Sequence, residues 1–148
     1  MLQLTPHHRL LLAVNPVDFR RGIDGLAAAC QLVLNEQPLS GTVFVFANRS
    51  RTAVKILVYD GHGYWLCHRR FSKGKLKWWP SIKSETQYGR GFGTTFPCKS
   101  PFVSMRLLWD GSVKLCHNFY IGNVKRNTLQ SIWNGPKAEL LREIILKD

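Results

Sequence analysis

Residues 42–71 read TVFVFANRSRTAVKILVYDGHGYWLCHRRF, and the fold turns on them. Three runs rich in β-branched and aromatic residues, TVFVFANR, TAVKILVYD and YWLCHRRF, are strand signals. Asp60-Gly61-His62-Gly63 between the second and third is a turn. Ser72-Lys73-Gly74 is another, and KLKWW after it predicts a fourth strand. Consecutive strands joined by tight turns make a β-meander, so the sheet is expected to be antiparallel. On the N-terminal side, IDGLAAACQLVLNEQP places Ile23, Leu26, Ala27, Cys30, Val33 and Leu34 at helical spacing, and Pro38 stops the run. One helix packed on one sheet face makes an α+β unit. Cys30 lies on the apolar stripe and reads as a buried, inert thiol.

Beyond Trp78-Trp79-Pro80 the pattern changes. SIKSETQYGRGFGTTFP has no periodicity and reads as a linker. FVSMRLLW and SVKLC then flank Asp110-Gly111, a favoured two-residue turn pair, and predict a hairpin. TLQSIWNGPKAELLREIILKD is helical in pattern, interrupted at Asn134-Gly135. Pro136 suits a first helical turn, with Leu140, Leu141, Ile144 and Ile145 as the apolar face. The expected organisation is a domain over 1–80, a linker over 81–97, and a small hairpin-plus-helix module over 98–148.

The chain has 148 residues, of which 45% are hydrophobic. That is enough for a packed core and excludes a disordered chain. The apolar run Leu10–Val14 is far too short to span a membrane. MLQLTPHHRLLLAVNPVDFRRG has no small-residue cleavage pattern, so no secretory signal is expected. Four cysteines without such a signal point to a reducing cytoplasm and against a structural disulfide. The formal net charge is +12, which points to an anionic partner, nucleic acid first.

Residues 49–77 hold eight Lys or Arg and one acid, Asp60. Strand alternation, with Val54, Ile56 and Val58 set toward the core, turns Lys55 and Tyr59 outward. The same rule sends Trp65, Cys67, Leu76 and Trp78 inward, and Tyr64, Arg70, Lys75, Lys77 and Trp79 outward. The candidate nucleic-acid face is therefore Arg49, Arg51, Lys55, Arg69, Arg70, Lys73, Lys75 and Lys77 for phosphates, with Tyr59, Tyr64 and Trp79 for base stacking. The alternative is a solvated sheet whose lysines guard it against aggregation.

No catalytic constellation stands out. His62, His68 and His117 have no Ser or Cys beside them in a nucleophile motif. GRGFG lacks the Lys-Ser/Thr ending of a phosphate loop. Polynucleotidyl transfer needs converging carboxylates around metal ions. The first 80 residues contain only Asp18, Asp24, Glu36 and Asp60.

The blocks VDFRRGIDGL, FVFANR, VKILVYDGHGYWL and RF-x-x-GKLKWWP run continuously over residues 9–80. They resemble the TnpB accessory-protein family, encoded by the second reading frame of the "sixty-six" family of bacterial insertion sequences. The resemblance implies a non-enzymatic role beside a separate transposase and brings no catalytic residues. Taken with the basic face and the short apolar runs, the expected partners are DNA or the transposase, and no membrane.

The second half resembles another family. FPCKSPFVSMRLLWDGSVKLCHNFYIGNVKRNTLQSIWNG is similar to the start of a SPASM domain, an extension of radical S-adenosylmethionine enzymes that holds auxiliary iron–sulfur clusters. Cys98, Gly111 and Cys116 fit its opening cysteine–glycine–four residues–cysteine pattern. Gly122 to Val124 and Ser131 to Trp133 fit its later elements. The resemblance implies Cys98 and Cys116 as cluster ligands. About four cysteines are normally needed, and no cysteine follows Cys116. The module therefore reads as truncated, with a cluster expected only if another chain supplies ligands. Three readings follow: a non-enzymatic transposition accessory protein, an iron–sulfur module or its remnant, and a fusion product without selected function.

Overall fold

The computed structural model describes residues 8–81, 100–116 and 119–147. The expected meander is present. β2 (Val43–Ala47), β3 (Ala53–Tyr59) and β4 (Tyr64–Arg70) pair antiparallel in sequence order. The helix α1 (Ile23–Leu32) precedes them. It buries Leu26, Ala29 and Cys30 against the sheet, where Leu57, Phe44 and Phe46 await them. KLKWW is not a strand: Leu76 N–H donates to the Arg51 carbonyl, and the segment lies against the β2–β3 turn.

A further strand, β1 (Leu10–Ala13), lies beside β2 and parallel to it. α1 is the crossover between the two, so the unit begins as β–α–β before it becomes a meander. The second half adds a short helix α2 (Ser100–Val103) and the strands β5 (Ser104–Leu107), β6 (Ser112–Lys114) and β7 (Tyr120–Asn123). α3 (Leu129–Trp133) and α4 (Pro136–Lys147) follow, with Pro136 opening α4 as expected. Gly111 closes the β5–β6 turn at φ +85°, where an added Cβ would also press on Asn123 Oδ1 at 2.9 Å.

The two halves share one sheet. Its order is β4-β3-β2-β1-β5-β6-β7. The joint is an antiparallel pairing of β1 with β5, in which Leu11 faces Arg106 and Leu12 faces Met105. Leu11 and Met105 thus lie on opposite faces. α1 covers the Leu11 face over β1 to β3. α3 and α4 cover the Met105 face over β5 to β7, where Met105, Val113, Ile132 and Trp133 form a second core. Val14 N–H donates to the Val103 carbonyl, Trp133 Nε1 to Ser81 O, and Arg106 pairs with Glu36. Val103 packs in the first core and Val14 in the second, which ties them together. On α4, Ala138 and Leu141 are buried and Ile145 packs beside them, whereas Leu140 and Ile144 face solvent. The apolar stripe is narrower than the expected set.

Candidate nucleic-acid interface

The alternation along β3 is the reverse of that expected. Ala53, Lys55 and Leu57 face α1, and Val54 and Ile56 lie on the other face, half-buried. Lys55 is 6% exposed. Its ammonium donates to the carbonyls of Phe19 and Arg21, both at 2.8 Å, and sits over the Phe19 ring at 5.3 Å. The outward placement of Lys55 is corrected: the charge is spent inside, clamping the loop between β1 and α1. A long apolar stem lets a lysine cross a core when carbonyls receive its head.

The inversion carries into β4. Register pairs Lys55 with His68 and Leu57 with Leu66, so Tyr64, Leu66 and His68 lie on the α1 side. Trp65 and Cys67, expected inside, are exposed on the other. Trp79 is also corrected. It is 9% exposed, and its indole donates to the Ala13 carbonyl at 2.8 Å. A buried, hydrogen-bonded ring offers no stacking face. Tyr59 and Tyr64 pack together with centroids 5.2 Å apart. They sit at the β3–β4 turn, about 20 Å along the strands from Ala53 and Arg70.

The remaining basic residues are gathered at the other end of the sheet. There β1 and β2 finish, β3 starts and β4 finishes. Arg49 and Arg51 lie in the β2–β3 turn. Asn48 shapes that turn: its Oδ1 accepts from the N–H of Thr52 and Ala53 at 2.9 and 3.0 Å. Its Nδ2 donates to Ser50 and Thr52 hydroxyls. Arg51 adopts φ +59°, which costs roughly 1–2 kcal/mol for a side chain-bearing residue and so depends on such bracing. Arg69 and Arg70 end β4. Phe71 N–H donates to Thr52 O, which brings Lys73, Lys75 and Lys77, all exposed, alongside the same turn.

The loop 15–22 completes this end and was not foreseen as part of the site. Val17 N–H donates to the Ala47 carbonyl, and Lys55 holds the loop from below. An open cleft of about 910 Å³ lies between Pro16–Arg20 and Asn48–Ser50. Arg20, with a side chain 91% exposed, grips Asp18 through Nε and Nη2. That contact, with the Arg20 backbone N–H, lowers the Asp18 carboxyl to about 2. Arg21 is exposed beside it. The signal was the FRR doublet of VDFRRG. It could be placed only with β1 known, because the loop is positioned by the end of that strand.

The cysteines are dispersed. Cys30 is fully buried on the sheet-facing side of α1, and burial pushes its thiol up to about 12. Cys67 is exposed on β4, correcting its expected place in the core. Cys116 follows β6 and packs at the margin of the second core. Cys98 and His117 lie outside the described residues. Strands β4 and β6 stand five places apart in the sheet, about 24 Å. Cys67 and Cys116 therefore cannot ligate one cluster within a chain, and Cys30 is enclosed by its own core. Among the described residues no group of three or more His, Cys, Asp or Glu is placed to hold a metal. The described residues do not fit a self-contained iron–sulfur site.

Residues 8–88 match the family model described as IS66 Orf2 like protein. The chain belongs to the IS66 Orf2-like family. The match spans β1 through β4, hence the loop 15–22, the β2–β3 turn and the lysine segment. Residues 98–148 match the model of an iron-sulfur cluster-binding domain, SPASM, and this similarity covers about a third of the chain. Two uncharacterised proteins of Sinorhizobium fredii are similar to this chain. One, y4hO, is 36% identical over 78 residues, which are 53% of this chain and 68% of the relative. The other, y4jC, is 35% identical over 68 residues, 46% of this chain and 58% of that relative. No solved structure matches the chain. Among the described residues no helix is long and apolar enough to cross a membrane.

Proposed function

We propose that this IS66 Orf2-like chain is a non-enzymatic accessory protein of insertion-sequence transposition that engages DNA through the basic end of its sheet, beside a transposase. The observation that carries the reading is the gathering of Arg21, Arg51, Arg70, Lys73, Lys75 and Lys77 at the end of the sheet where Arg20 and Arg49 line an open cleft. Of the acids there, Asp18 is already held by Arg20. Guanidinium and ammonium groups at a sheet end neutralise phosphates and release counterions, whatever the base sequence. Among the described residues the helix that begins at this end, α1, is packed on the sheet and not presented as a recognition element for a major groove, so positioning by backbone contacts is the expected mode.

Salt titration of binding to duplex and single-stranded oligonucleotides tests this. With about five phosphates neutralised, log affinity falls against log salt with a slope near −4 to −5. Lys75→Ala with Lys77→Ala flattens the slope by about two units and weakens all sequences alike. No binding at low salt, or a slope indifferent to the double substitution, would leave the basic end as a solvated surface.

A further inference from the structure

We infer that β4 is the interface of a symmetric dimer, in which the exposed edge strand of one copy pairs antiparallel with the same strand of a second copy, centred on Cys67. Among the described residues β4 ends the sheet, with no strand beyond it. The hydrogen bonds that bracket the β3–β4 hairpin fix which backbone groups are spare. Asp60 N–H donates to Gly63 O at one end and Phe71 N–H to Thr52 O at the other. Between them the register is unbroken from Ala53↔Arg70 to Tyr59↔Tyr64. Antiparallel ladders alternate, so the odd-numbered residues of β4 bond to β3. The N–H and C=O of Tyr64, Leu66, His68 and Arg70 then point away from the sheet.

A two-fold axis at Cys67 pairs all four of these residues with one another, Tyr64 with Arg70 and Leu66 with His68. Cys67 becomes a non-hydrogen-bonded pair with Cys67 of the partner subunit, the closer of the two pair types. Moving the axis by two residues leaves part of the ladder unmatched and, toward the C-terminus, brings arginines nearer one another. The side chains agree with the Cys67 axis. On the face away from α1, Arg69 lands opposite the partner's Trp65. That indole is 39% exposed, and its Nε1 is held by Asp60 Oδ2 at 2.6 Å. The arriving guanidinium therefore meets an aromatic face with a carboxylate behind it. Hydrogen bonds from Trp65, His62 and Gly63 lower the Asp60 carboxyl to about 2, so that charge is present at any ordinary pH. Arginines that would guard a lone edge against pairing are, in this register, matched by the strand itself. The interface goes beyond nucleic-acid binding and is measured without nucleic acid.

The full chain, studied by sedimentation velocity across a wide dilution range, should show a monomer–dimer equilibrium. Cys67→Lys sets two ammonium groups directly opposite at an exposed position and should weaken the dimer about tenfold or more, with the monomer's far-UV spectrum unchanged. Copper-phenanthroline oxidation of the unsubstituted chain should yield a covalent dimer whose peptide map joins Cys67 to Cys67. A chain that stays monomeric at every concentration, a dimer indifferent to Cys67→Lys, or a cross-link mapping to Cys98 or Cys116 instead would overturn the proposal.

Discussion

Lys55 shows what a single side chain decides. Read as an outward lysine it belongs to a binding surface; in place, it anchors the loop 18–22 through the carbonyls of Phe19 and Arg21. Lys55→Met keeps the apolar stem and removes the donor. Two carbonyls then lose a charged partner, and stability should fall by about 1–3 kcal/mol. Urea denaturation monitored by circular dichroism measures the loss. The same variant, titrated against salt with DNA, should keep the slope of the unsubstituted chain, because Lys55 reaches no phosphate. A slope flattened by a full unit with stability unchanged would return Lys55 to the surface. The inversion at this residue could not be read from the chain. AVKILVY is apolar at both parities, Val54, Ile56 and Val58 on one and Ala53 and Leu57 on the other, so period-two patterning has no preferred phase. The lysine broke the tie in the wrong direction because its usual habit is solvent.

At the scale of elements, Asn48 shapes the β2–β3 turn, which carries Arg49 and Arg51, without adding charge of its own. Asn48 makes four side-chain hydrogen bonds within five residues, two of them accepted from the backbone N–H groups of Thr52 and Ala53, where the turn enters β3. Asn48→Ala frees those donors and releases Arg51 from its left-handed conformation. The expected result is a loss of about 1 kcal/mol in stability. DNA binding should weaken several-fold with the chain's net charge unchanged, as anisotropy at fixed salt would show. Full affinity in this variant would mean that the arginines act as a diffuse charge and need no fixed turn. Local elements of this kind were the legible part of the sequence. The meander β2 to β4, α1, the Asp110-Gly111 hairpin and the start of α4 at Pro136 each follow from propensity, turn chemistry or periodicity confined to a dozen residues. β1 was not legible, because LLLA is four apolar residues with no alternation, bounded by no hairpin partner. Its neighbours are β2, reached through a helix, and β5, some ninety residues on. KLKWW failed for the opposite reason. Its strand-like composition serves a hydrogen bond from Leu76 to the β2–β3 turn and the burial of Trp79 beneath Ala13.

For the whole molecule, the boundary in sequence pattern and the boundary in structure differ. The family matches change at residues 88–98, yet the sheet runs through from β4 to β7 by way of the β1–β5 pairing. Without β5 the outer edge of β1 would be bare, and Val14 would lose the second core it packs in. The two halves should therefore unfold together. Met105, on β5, is fully buried in the second core, whereas Cys30 is fully buried in the first. Met105→Ala should cost about 2–5 kcal/mol through the cavity it leaves. Cys30 reports on the other half, since the thiolate is the nucleophile and burial holds this thiol near 12, inert to alkylation until the first core opens. In a urea series, alkylation of Cys30 followed by peptide mass mapping should trace the same transition as circular dichroism. Met105→Ala should move both midpoints to lower urea by the same amount. A Cys30 midpoint that stays put while the dichroic transition splits would show that the β1–β5 joint transmits no cooperativity. Coincident movement would show that a segment similar to an iron–sulfur domain has become, in this chain, the covering of an open sheet edge.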